Sequence, residues 1–220
     1  MAALVIIARV TEIIDEDALD GESPVERDDR RGVARLEAFS DGVFAIAITL
    51  LVLGIEVPDA DAGSLNKALG DLVPNMIAYF IGFAVIGIFW VNHHAFFGEV
   101  ERHNGRLLWS NLLFLSLVSA MPFTTGLIGE FNGERDAVML FAANVSLASL
   151  AAIASERAAV RARLLTPGSA LYKRPFPSPG AFVTPVVFGL SIPIALISPT
   201  AAQYAWLATI VFDRIYSDDG

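Results

Sequence analysis

Residues 35–58 read RLEAFSDGVFAIAITLLVLGIEVP. From Gly42 to Ile55 every side chain is apolar, small or a hydroxyl, the make-up of a helix in lipid. Immediately before it stand Arg35, Glu37, Ser40 and Asp41, groups that lipid rejects. The 14 apolar residues cover roughly 21 Å at about 1.5 Å each, short of a bilayer core of about 30 Å. Either the helix lies in the interface, or residues 35–41 continue it into the membrane. The second arrangement places ionisable groups at depth, where they must face protein or water and find partners.

A helical wheel separates two surfaces. At about 100° per residue, Arg35, Phe39, Gly42, Ile46, Thr49, Leu50 and Leu53 fall within one stripe, whereas Glu37 and Asp41 share another. Spacing alone favours ordinary lipid or helix contact for the row Ile46, Leu50, Leu53. Ser40–Asp41 reads equally well as an N-cap, with an acid at the positive helix end.

The rest of the chain fits a membrane protein. Of 220 residues, 55% are hydrophobic and 18% charged, with a mean hydropathy of +0.57, against about half and a quarter in soluble domains. Segments 72–98, 107–129, 137–154 and 181–198 are apolar runs, and 199–212 is a shorter one extending toward residue 216. With the opening stretch they predict an all-α protein of six transmembrane helices per subunit over residues 33–217. Pro74, Pro122, Pro185 and Pro193 fall inside these runs, which a bundle tolerates when neighbours satisfy the freed carbonyls. Residues 1–32 form a polar, acidic tail, expected to be disordered and lacking a signal-peptide pattern. There is no cysteine, which excludes disulfides and thiol chemistry.

Lys and Arg set the orientation. With six spans, thirteen basic residues, Arg9 to Arg35 and Arg102 to Arg214 except Arg135, share one side, leaving Lys67 and Arg135 on the other. The bias predicts a multi-pass protein of a cell inner or plasma membrane with both termini cytoplasmic. The loop after the first span is acidic, with Glu56, Asp59, Asp61 and Asp71.

The second span ends FWVNHHAFF, placing Trp90, Asn92, His93 and His94 level with Ser40 and Asp41. Adjacent histidines point about 100° apart and cannot serve one metal from one helix face, and no metal-binding spacing accompanies them. A hydrogen bond from His or Asn to Asp41 is expected, with Trp90 as an interfacial anchor the alternative.

Arg35-Leu36-Glu37-Ala38-Phe39-Ser40-Asp41 fits an R-x-x-x-F-S-D signature. With FAIAITLLVL and FWVNHH, it resembles the endosomal and lysosomal potassium channels called transmembrane protein 175 and their bacterial single-repeat homologues. The resemblance covers about residues 34–213. It implies a homotetramer in the lipid bilayer whose first helices surround a K+ pore without a carbonyl filter. It further implies Ile46 as the constriction, Leu50 and Leu53 as apolar rings, and Thr49 as a selectivity hydroxyl. Arg35, Phe39, Ser40 and Asp41, with Trp90, Asn92 and His93, would be the network holding the pore helix.

The expected function is therefore a potassium channel with a hydrophobic gate. No cofactor beyond the permeant ion and no nucleic-acid partner is expected. A proton-coupled secondary transporter using Asp41, Glu37 and His93 is the alternative. An intramembrane enzyme lacks any catalytic constellation with the needed spacing.

Overall fold

The structure, a computed structural model, describes residues 23–58, 64–131, 133–173 and 179–209. Most of the acidic tail (1–22) and the end of the last span (210–220) lie outside the described residues.

The first helix is one continuous rod, α1 (Pro24–Leu51), prolonged by a 3-10 turn, Val52–Gly54. Its start is written in the sequence. Ser23 Oγ accepts from Glu26 N at 3.3 Å, and Ser23 N donates back to Glu26 Oε2 at 2.8 Å. This capping box, with Pro24 in the first turn, satisfies donors the helix itself cannot. Helix therefore begins nine residues ahead of the expected boundary at 33, and Pro24–Gly32 belong to α1 rather than to a disordered tail. Ser40 and Asp41 sit mid-helix, so the N-cap reading of that pair is corrected: the cap is Ser23.

After the loop come α2 (Leu65–Asp71), α3 (Val73–Phe97), α4 (Gly105–Glu130), α5 (Arg135–Ala162), α6 (Val183–Ala195) and α7 (Pro199–Ala205). Asn104 caps α4 by accepting from Leu107 N at 2.9 Å. Helix α5 ends on Arg163 in the left-handed region, φ 54°. Ser198 and Pro199 start α7. Helices α1, α3, α4 and α5 are long and apolar enough to cross a membrane, α6 and α7 are shorter, and α2 is a seven-residue helix without a buried residue just before α3. Each predicted run coincides with a helix: four are of spanning length, the fifth is shorter, and the sixth begins at Pro199 with its end outside the described residues, while α5 runs eight residues past 154.

Helices α4 and α5 form the central antiparallel pair. Helices α1 and α3 pack against α4, and α6 and α7 against α5. The core runs between them through Phe44, Ile86, Phe89, Phe114, Val118, Met121, Phe141, Val145, Phe188 and Trp206. Only 22% of the apolar window of α1 and of α3 is buried, against 44% and 50% for α4 and α5. The first pair is therefore the open flank of the single chain.

A second, smaller cluster closes the end of the bundle where α1 begins. Val33, Phe97, Val100, Leu107, Leu164 and Leu165 meet there. The segment after α5 is tied to the turn after α3: Thr166 N donates to Glu99 O at 2.8 Å, and Glu101 N donates to Leu164 O at 2.9 Å. Tyr172 Oη accepts from Leu165 N at 3.0 Å. On the other side of this cluster α1 rests on His103. A Cβ on Gly32 would overlap the His103 ring, and Asp29 Oδ1 lies 4.0 Å from His103 Nδ1.

Candidate functional site

Helix α1 presents two faces, and the wheel separates them at every turn. Ser40, Phe44, Ala47 and Leu51, at i, i+4, i+7 and i+11, are buried against α3 and α4. Phe39, Ile46, Leu50 and Leu53 lie uncovered, Ile46 at 60% and Leu53 at 71% exposure. Arg35, Gly42 and Thr49 are exposed on the same side. Thr49 Oγ1 donates to Ile46 O at 2.9 Å.

The buried face carries one polar chain. His93 Nε2 lies 3.0 Å from Asn111 Oδ1, and Asn111 Nδ2 donates to Ser40 Oγ at 3.0 Å. Ser40 Oγ in turn donates to Leu36 O at 2.9 Å. The donors all run one way, which requires the histidine hydrogen on Nε2. The chain links α3, α4 and α1 in sequence. Its members are almost wholly buried, Ser40 at 0% and Asn111 at 1% exposure. In so dry a setting each unmade bond would cost about 1–3 kcal/mol, so the chain fixes the register of the three helices. Aromatic rings hold the imidazole in place: Phe97 stacks on it at 4.3 Å, Phe114 at 5.8 Å, and Phe44 meets it edge-on at 5.5 Å.

A second pair of contacts joins α1 to α3 beside this chain. Trp90 Nε1 donates to Asp41 Oδ1 at 2.9 Å, and His94 Nδ1 lies 3.2 Å from Glu37 Oε1. Both acids therefore face α3, half-buried, and each meets a ring of that helix. The expected histidine or asparagine partner of Asp41 is corrected to Trp90. Residue 90 lies three positions before 93, almost one turn away, and its indole N–H reaches the carboxylate that His93, turned toward α4, does not. Asn92 points outward, exposed, and no hydrogen bond joins it to this group among the described residues. Of the seven residues expected in the network, Ser40, Asp41, Trp90 and His93 meet partners within the chain; Arg35 and Phe39 lie on the uncovered face.

Asn111 was missed in the sequence. Its one signal was an amide inside the apolar run 107–129, since a polar group at that depth needs a partner. Among the described residues no three His, Asp or Glu side chains gather as a metal site would require.

Comparison with known proteins decides what this arrangement belongs to. The family model described as "Endosomal/lysosomal potassium channel TMEM175" matches residues 35–122, the segment holding α1 from Arg35 on, α3 and most of α4 with its asparagine. The crystal structure of a lysosomal potassium-selective channel TMEM175 homolog from Chamaesiphon minutus superposes with a TM-score of 0.72 at 30% identity, over 83% of this chain and 97% of that one. The chain belongs to the TMEM175 family. A potassium channel of Streptomyces collinus is 51% identical over 118 residues, 53% of this chain and 57% of the relative. The endosomal/lysosomal proton channel TMEM175 of Bos taurus is 38% identical over 129 residues, 53% of this chain and 27% of the relative. The matches span 54% to 65% of the length of the curated bacterial relatives. With the apolar helices, membership of the TMEM175 family makes this a multi-pass membrane protein.

Proposed function

We propose that the protein is a potassium channel. Its pore is lined by the uncovered face of α1 from four copies of the chain. The observation that carries this reading is the two-faced first helix: one side is bolted to α3 and α4, and the other presents an apolar row left uncovered by the described residues. Bacterial relatives named potassium channels support the choice of ion.

In this reading Ile46 forms the constriction, with Leu50 and Leu53 stacked beyond it. An ion entering such a ring loses water and gains no ligand, so the ring blocks by dewetting until the helices part. Thr49 stands between these rings. Its hydroxyl hydrogen is used by Ile46 O, so the oxygen lone pairs are left for a passing cation. Selectivity without a carbonyl cage rests on pore width, partial dehydration and this oxygen, and is therefore modest. Arg35 and Phe39, uncovered beside the row, meet neighbouring copies.

The Lys and Arg count supports cytoplasmic termini in an inner or plasma membrane. Cysteines placed at Ser64 and Lys173, both exposed, test the orientation with an impermeant thiol reagent. Labelling of position 173 from outside overturns it.

Purified protein in liposomes tests conduction, comparing K+, Na+ and a larger organic cation. Ile46→Asn raises cation flux and weakens the preference for K+. Val43→Asn does not, because Val43 packs against the core side. Equal effects at the two positions remove Ile46 from the pore. Proton movement is the second reading. It is favoured by the carboxylate–ring pairs Glu37–His94 and Asp41–Trp90, and by vertebrate relatives named proton channels. A pH-sensitive dye in the same liposomes separates the two.

A further inference from the structure

The end of α1 opposite Ser23 stops beside a small cavity between three helices. Leu51, Gly54 and Ile55 approach it from α1, Asn75, Ala78 and Tyr79 from α3, and Thr125, Gly126 and Gly129 from α4. Glycines bring the backbones together here. A Cβ on Gly82 would come within 2.7 Å of Thr125 and 3.1 Å of Leu51, and one on Gly129 within 3.1 Å of Asn75 Cα. The close approach leaves a cavity of about 10 Å³.

Thr125 is 3% exposed, and its Oγ1 is buried without a hydrogen-bond partner among the described residues. Its neighbour behaves otherwise: Thr124 Oγ1 donates to Met121 O at 3.1 Å. A buried hydroxyl with no partner is uncommon and requires a cause. The last carbonyls of a helix also lack intrahelical donors, and α1 ends at this cavity. One water molecule needs roughly 10–15 Å³ and two to four polar partners. The cavity offers that space, the Thr125 hydroxyl, the Asn75 amide and the backbone that ends α1.

We propose that this cavity is a binding site for a single water molecule, bonded to Thr125 Oγ1, that joins the end of α1 to α3 and α4. The water replaces a side chain as the joint between helices too close to fit one. The inference concerns the chain itself and stands whether or not the protein conducts K+.

The test combines structure with stability on the full-length protein in nanodiscs. A map fine enough to display other buried waters should contain an ordered water about 2.6–3.2 Å from Thr125 Oγ1. Thr125→Val keeps the shape and removes the hydroxyl, so it lowers Tm by about 2–4 °C. Thr125→Ser, which keeps the hydroxyl, loses less. If no density stands in the cavity of such a map, the proposal fails. It fails equally if Thr125→Val melts at or above the parent, because a dry, unpartnered hydroxyl is better replaced by a methyl group. Should Thr125→Val not assemble, the density in the parent and in Thr125→Ser decides.

Discussion

The two faces of α1 carry the same kinds of side chain to different ends. Phe44 and Ile46 lie two residues apart on one helix. One is 1% exposed against His93 and Phe114, and the other is 60% exposed. Hydrophobicity alone does not distinguish them. The difference lies in what each face adds: both Ser40 and Thr49 donate to their own helix, but Ser40 Oγ on the inner face also accepts from Asn111 of α4, whereas no hydrogen bond joins Thr49 on the outer face to another helix among the described residues. A face that hydrogen-bonds to another helix is fixed in register, and the row Ile46, Thr49, Leu50 and Leu53, without such a bond among the described residues, is left smooth.

Substitutions can break this contrast, and the expected losses of stability descend in order. Phe44→Ala removes a buried ring from the meeting of α1, α3 and α4, and should cost about 3–5 kcal/mol, read as a lower Tm and a lower yield of assembled protein. Asn111→Leu keeps the volume but strips His93 and Ser40 of a shared partner. The expected cost is about 1–3 kcal/mol in thermal unfolding, and Ser40→Ala added to it should cost little more, because the chain is already broken. Gly32→Ala drives a methyl group into the His103 ring, with an expected cost of about 1–3 kcal/mol that His103→Ala relieves in the double variant. Ile46→Asn should leave Tm within about 2 °C of the parent, because the side chain already stands outside the packed interior. If Ile46→Asn unfolds the chain as Phe44→Ala does, the faces are not distinct.

Much of the fold was legible because a bilayer imposes a length and a composition on each span. The six apolar runs therefore map onto α1, α3, α4, α5, α6 and α7. The start of α1 was misjudged because the charges of residues 24–32 resemble a solvated tail. The capping box at Ser23 and Glu26 was present in the sequence but stood far from the apolar run it serves. At the site, Ser40, Asp41, Trp90 and His93 were visible as polar groups at matching depth. Who bonds to whom was not visible, since the partner of a buried amide depends on how two helices are rotated about their axes. Asn111 and His93 are 18 residues apart on different helices, and only packing brings them to 3.0 Å.

The continuity of α1 has a mechanical consequence. From Val25 to Leu51 it contains no proline and runs as one uninterrupted α-helix. A straight helix of 28 residues is about 42 Å long, and leaning it by about 10° carries one end roughly 7 Å sideways when the other stays in place. That displacement exceeds the width of a water molecule, about 2.8 Å. The close seat of Gly32 on His103 holds one end of this rod. A continuous rod carries a displacement of residues 24–32 to its far end without any contact there.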